Sequence, residues 1–179
     1  MTPSDEASAR IGAALPGFLL ATLTVFLGFA LGGLFGLNED AIKSRLSARA
    51  AAVEATVYRG DAAAADAVLA KSWTYMQRAH LHAGATGTAA VALIGMLVLV
   101  GVAPRSIRVT GILLGLGALG YSLFWLWAGF RAPALGGTGA AKESLRWLAM
   151  PSAGAILLGT LCTLVLTALA ARGGRGSRG

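Results

Sequence analysis

From Ile11 to Leu37 the chain runs for 27 residues without a charged side chain. At about 1.5 Å per residue such a run makes a helix of roughly 40 Å, more than the ~30 Å hydrocarbon thickness of a bilayer. Three further charge-free runs follow: Ala83–Ala103 with 21 residues, Val109–Phe130 with 22 and Trp147–Ala171 with 25. Each is long enough to span. The fold class they predict is an all-α integral membrane protein. It has four transmembrane helices, with an amphipathic helical hairpin over 38–82 between spans 1 and 2, in one four-helix membrane domain. A signal peptide does not fit the first run, because an apolar signal region is about 7–15 residues long.

Composition supports this. Charged residues make up 13% of the 179 residues, against about 25% in soluble domains. The net charge of +7 would suggest nucleic acid on a soluble protein. Here Arg and Lys stand mainly at the ends of apolar runs, where they meet lipid headgroups, and a nucleic-acid partner is not expected. The one cysteine, Cys162, lies inside a span. It excludes an intramolecular disulfide, a Cys-rich zinc site and heme attachment through a cysteine pair.

Gly28, Gly32 and Gly36 recur every four residues in the first run, which places small residues along one helix face for close packing in lipid. Asn38 reads as a helix cap with Glu39 and Asp40 in the first turn. Ile42, Leu46, Val53 and Val57 then recur at near-helical spacing. Arg59-Gly60-Asp61 is a turn, with Gly60 ending one helix and Asp61 capping the next; turn chemistry accounts for this triplet without an adhesion role. A second helix from Ala62 carries Val68, Leu69, Trp73 and Met76 on one side and runs into the second span, which ends at Pro104. Gly136, Gly137 and Gly139 form a loop before the fourth span, and the basic tail 172–179 is expected to be disordered.

Four spans place both termini on one side. The acid-free Arg105/Arg108 link and the arginine tail assign that side to the cytoplasm by the positive-inside tendency, in a bacterial inner membrane. On the opposite side fall all four tryptophans, Trp73, Trp125, Trp127 and Trp147, and both histidines, His80 and His82. An interfacial aromatic belt is one account. The other is a partner or pocket surface built from Trp73, Tyr75, Tyr121, Trp125, Trp127 and Trp147.

His80 and His82 are the candidate ligands for a heme or a metal ion. Two residues apart on a helix, their rings point about 200° apart, so one metal held by both does not fit a regular helix. One inward histidine as an axial heme or metal ligand is the alternative to two interfacial histidines with no ligand. Other chemistries lack their residues. The acids lie outside the spans, which excludes a Ser-His-Asp triad and a proton relay through the membrane. Gly136-Gly137-Thr138-Gly139 lacks the lysine of a phosphate loop.

The string Ala79-His80-Leu81-His82-Ala83-Gly84-Ala85-Thr86-Gly87 resembles the H-x-H-x-x-x-x-G motif that opens a membrane helix in small four-span proteins similar to a fragment of heme-copper oxidase subunit I, where it usually reads HAHLNLLG. A glycine-striped first span and a polar segment precede it in the same order. The resemblance implies heme at helix-end histidines on the outer side and a place in or beside an electron-transfer complex. With two histidines in the chain, a three-histidine copper site and a bis-histidine heme between separate helices cannot be built from one copy. Met76 and Met150 are the remaining soft ligands on that side. A His/Met heme b, a heme shared across a homo-oligomer, and a scaffold without cofactor, acting as an accessory subunit of a larger membrane complex, all remain open. A transporter is the weakest reading, since polar residues within the spans are few.

Overall fold

The structure is a computed structural model and describes residues 2–176. Among these the elements are helical: α1 (Pro3–Ala51), a π-helical turn (Glu54–Tyr58), α2 (Ala62–Leu99), α3 (Pro104–Arg131), a 3-10 turn (Ala132–Leu135), α4 (Thr138–Ser144) and α5 (Arg146–Gly176). Four of them, α1, α2, α3 and α5, are long and apolar enough to cross a membrane. Residues 177–179, the end of the basic tail, lie outside the described part of the chain.

The break expected at Asn38 is present: within α1 two helical segments, the first span and the first hairpin arm, meet there across a kink, and Asn38 alone leaves helical geometry (φ −131°, ψ 24°). Its side-chain Nδ2 donates back to the Leu34 carbonyl at 3.3 Å, so a short polar side chain occupies a backbone group freed at the break. The turn after the first arm forms as its residues dictate. Arg59 and Gly60 take positive φ (55° and 79°), and Asp61 Oδ1 accepts from the Ala64 N–H at 2.9 Å, capping α2.

α2 stops at Leu99, before the apolar run does. Gly101 takes φ 78°, and the Val102 N–H closes back on the Leu97 carbonyl at 3.2 Å. A left-handed glycine closes the helix in this way, and Pro104 then opens α3. Hydropathy alone does not register the stop, because Val100 to Ala103 are as apolar as the helix before them.

The described chain forms two compact units. The first comprises Met1–Val25, Ala85–Leu119 and Pro151–Gly179. Its core is aliphatic, with Ala14, Ala21, Ala90, Ile94, Leu97, Ile107 and Leu114 buried together. Gly17 and Gly111 meet backbone to backbone: a Cβ on Gly17 would stand 2.6 Å from the Gly111 carbonyl carbon. Buried Thr24 and Thr163 donate to the carbonyls of Leu20 and Gly159 one turn back, which satisfies their hydroxyls without water. The second unit comprises Phe26–Gly84 and Gly120–Met150. All four tryptophans, all three tyrosines and both histidines lie in it.

Candidate functional site

The site is built in the second unit by α2, which carries His80 and His82 on opposite faces. His80 turns toward α1. Its Nδ1 donates to the Gly28 carbonyl at 2.7 Å, and its ring lies over Gly32, where an added Cβ would be 2.6 Å from Cε1. Gly28 itself sits against the α2 backbone, its absent Cβ 2.8 Å from Gly84 N. The glycines at 28 and 32 thus form a seat for α2 and its imidazole. Gly36 has nothing within 4 Å of a Cβ, so the stripe is used at two of its three positions. Because a carbonyl only accepts, Nδ1 carries the proton and the neutral ring keeps its lone pair on Nε2.

His82 turns toward α3. Its ring centroid is 5.1 Å from Tyr121 and 5.5 Å from Trp125. Trp125 is the hub of this cluster. Tyr75 packs edge-on to it at 4.9 Å and Phe124 at 5.4 Å. The Arg78 guanidinium lies 5.2 Å from the Trp125 ring and 5.3 Å from Tyr75. These distances suit edge-to-face and cation–π attraction. The indole N–H of Trp125 is buried with no hydrogen-bond partner among the described residues.

Of the other expected residues, Trp73 and Met76 belong to a neighbouring core group against which Trp125 also packs. Trp73 packs on Phe35 at 5.4 Å, with Lys43 5.4 Å from its ring. With Leu46, Ser47 and Leu69 these two line a cavity of about 360 Å³. Met76 is buried with Leu31, Phe35, Leu46 and Ala79, and its Cγ would be 2.8 Å from a Cβ on Gly129. Trp127, Trp147 and Met150 point outward, at 44%, 65% and 63% exposure.

Three further residues complete the unit. Tyr58 donates its hydroxyl to the Pro133 carbonyl at 2.7 Å, joining the hairpin turn to the 3-10 turn 75 residues later. Burial raises its pKa. Arg49 lays its guanidinium 4.2 Å from the Phe130 ring. Gly136, at φ 73°, leaves room for Val57, whose Cγ1 would be 2.5 Å from a Cβ there.

A heme needs two ligands facing each other across the ring, or one ligand and an open face. Met76 is one turn from His80 on the same helix and is packed in the core. Met150 is exposed. Among the described residues no three of His, Cys, Asp and Glu come together as a metal site. In this arrangement the His80 ring lies on a glycine seat and the His82 ring packs beside aromatic rings.

No family model, curated protein or solved structure matches this chain. The function is therefore argued from the site.

Proposed function

We propose that this protein is a structural or accessory subunit of a membrane complex, with no cofactor of its own, in which the His-x-His motif fastens α2 to α1 and α3. The observation that carries this reading is the use of both imidazoles: His80 is bonded to Gly28 and laid on Gly32, and His82 stands between Tyr121 and Trp125. Membrane insertion is supported by the outward faces of the helices. On α1, Ile11, Leu15, Leu19, Leu23 and Phe26 are exposed in succession; on α5, Leu157, Leu158, Leu161 and Leu164 are. Apolar stripes of that length need lipid or a partner to cover them. In this reading the protein sits in a bacterial inner membrane with both termini cytoplasmic.

The second reading keeps the resemblance to the fragment of heme-copper oxidase subunit I. One observation favours it. An imidazole whose Nδ1–H is held by a backbone carbonyl is the usual state of a metal-bound histidine, with Nε2 as the ligand atom. With His80 as the ligand, a heme b or metal ion would be shared between copies of the protein, beside an electron-transfer complex.

The deciding measurement is an absorption spectrum of detergent-purified protein, oxidised and reduced, with metal analysis of the same sample. A colourless, metal-free protein that stays so after heme is added back is the expected result. A Soret band that shifts on reduction and is lost in His80→Ala would overturn the accessory-subunit reading and establish the other.

A further inference from the structure

The first unit contains a groove of about 500 Å³ between the start of α3 and the C-terminal half of α5. Arg105 and Ser106 stand at one end of it. Val109, Leu161 and Val165 make its apolar walls, with Cys162 and Thr110 facing in. One cation and no acid line it. Arg105 is exposed and makes no ion pair among the described residues, where Arg10 pairs with Glu6, Lys43 with Glu39 and Arg146 with Glu143. Thr110 is only 3% exposed. Unlike Thr24 and Thr163, it forms no hydrogen bond through its hydroxyl among the described residues.

We propose that this groove is a binding site for one anionic phospholipid, its phosphate held by Arg105 and Ser106 and an acyl chain lying along Val109, Leu161 and Val165. The proposal goes beyond the accessory-subunit role and rests on the same membrane reading. The charge pattern selects the occupant. Arg105 lacks a counter-ion, and Arg108 in the next turn adds a second exposed cation with no acid beside it, so the mouth attracts a negative headgroup. A free phosphate would satisfy the guanidinium and leave the apolar walls uncovered. A helix of a second copy would cover the walls, but the acids at that end of the helices are only Asp5 and Glu6 in the first turn of α1, and Glu6 is already paired with Arg10. A phospholipid meets both demands, and the volume lies in the range of small-molecule sites.

The test uses the full chain in mild detergent, after alkaline carbonate extraction of membranes has shown whether it is integral. That first step reads the membrane assignment separately: release by carbonate would sink it whatever the lipid does. Phosphatidylglycerol, phosphatidylcholine and inorganic phosphate are then added in turn. Two readouts are followed, the thermal midpoint and the rate at which a small maleimide alkylates Cys162, the one cysteine in the chain. Phosphatidylglycerol should raise the midpoint and slow alkylation about tenfold, as expected at ten times its Kd. Phosphatidylcholine should do much less, and phosphate nothing. Arg105→Gln should abolish the difference between the two lipids, and Leu161→Trp, which fills the groove, should abolish protection by either. Arg108→Gln, which removes the flanking cation and leaves the groove lining intact, should weaken the preference without abolishing it. Equal effects of the two lipids on the wild-type protein, protection by phosphate alone, or an unchanged preference in Arg105→Gln would each overturn the proposal.

Discussion

The Nδ1 of His80 donates to the main-chain carbonyl of Gly28 at 2.7 Å, across the interface between α2 and α1. The two residues are 52 apart in sequence. The bond requires glycine at position 32, because the imidazole occupies the space a side chain there would fill.

Removing that imidazole should loosen the α1–α2 contact. His80→Ala loses a hydrogen bond and leaves a void, together about 2–3 kcal/mol. His80→Gln, which retains a donor, should lose about half as much. Thermal midpoints in one detergent compare them. Equal stability of His80→Ala and the wild type would show that the bond contributes nothing.

The three glycines of the stripe should respond in order. Gly28→Ala forces backbone against backbone and should cost about 2–3 kcal/mol. Gly32→Ala displaces a side chain and should cost less. Gly36→Ala meets nothing and should be neutral or stabilising by up to about 1 kcal/mol, the helix preference for alanine. In Gly32→Ala/His80→Ala the two losses should not add, since both act on one contact. A double-mutant cycle with additive costs would refute the glycine seat.

Tyr58→Phe removes the donor to the buried Pro133 carbonyl and should cost about 1–3 kcal/mol. The same hydroxyl carries a pH dependence. Burial raises its pKa above the ordinary tyrosine value of about 10, so the fold favours the neutral phenol. Its contribution is fully present below about pH 10 and is lost as pH rises through the elevated pKa. Wild-type stability should fall more steeply than that of Tyr58→Phe as pH rises above about 10. Parallel curves for the two proteins would rule this coupling out.

Trp125 should tolerate a change of ring better than its loss. Its indole N–H is buried without a partner among the described residues, so Trp125→Phe removes an unpaired polar group and keeps an aromatic face for Tyr75 and Arg78. The cost should stay under about 1.5 kcal/mol. Trp125→Ala should cost about 3–5 kcal/mol and strip the near-ultraviolet circular dichroism of the cluster. Comparable losses in both variants would mean that the N–H, not the ring, is what the site uses.

Much of this molecule is written locally. Charge-free runs of 21 to 27 residues can only bury their backbone as helices, and each does so within itself, which makes the four long helices legible from hydropathy. The Arg59–Asp61 turn is equally local: Gly60 permits positive φ and Asp61 reaches an N–H three residues on. The divergence of His80 and His82 follows from the helical repeat alone. Their partners do not. Nothing in the order of residues pairs His80 with Gly28, Trp125 with Arg78, or Tyr58 with Pro133. These depend on how helices distant in sequence pack, which many apolar surfaces would satisfy almost equally. At Asn38 and Gly101 single residues reset the path of the chain. One marks the kink at which two helices meet, its amide reaching back to Leu34. The other ends a helix inside an apolar run, because φ 78° turns the backbone whatever the side chains around it prefer. Hydropathy and helical period are properties of neighbours along the chain. The seat of an imidazole on two glycines is a property of surfaces, and it exists only once the helices are in contact.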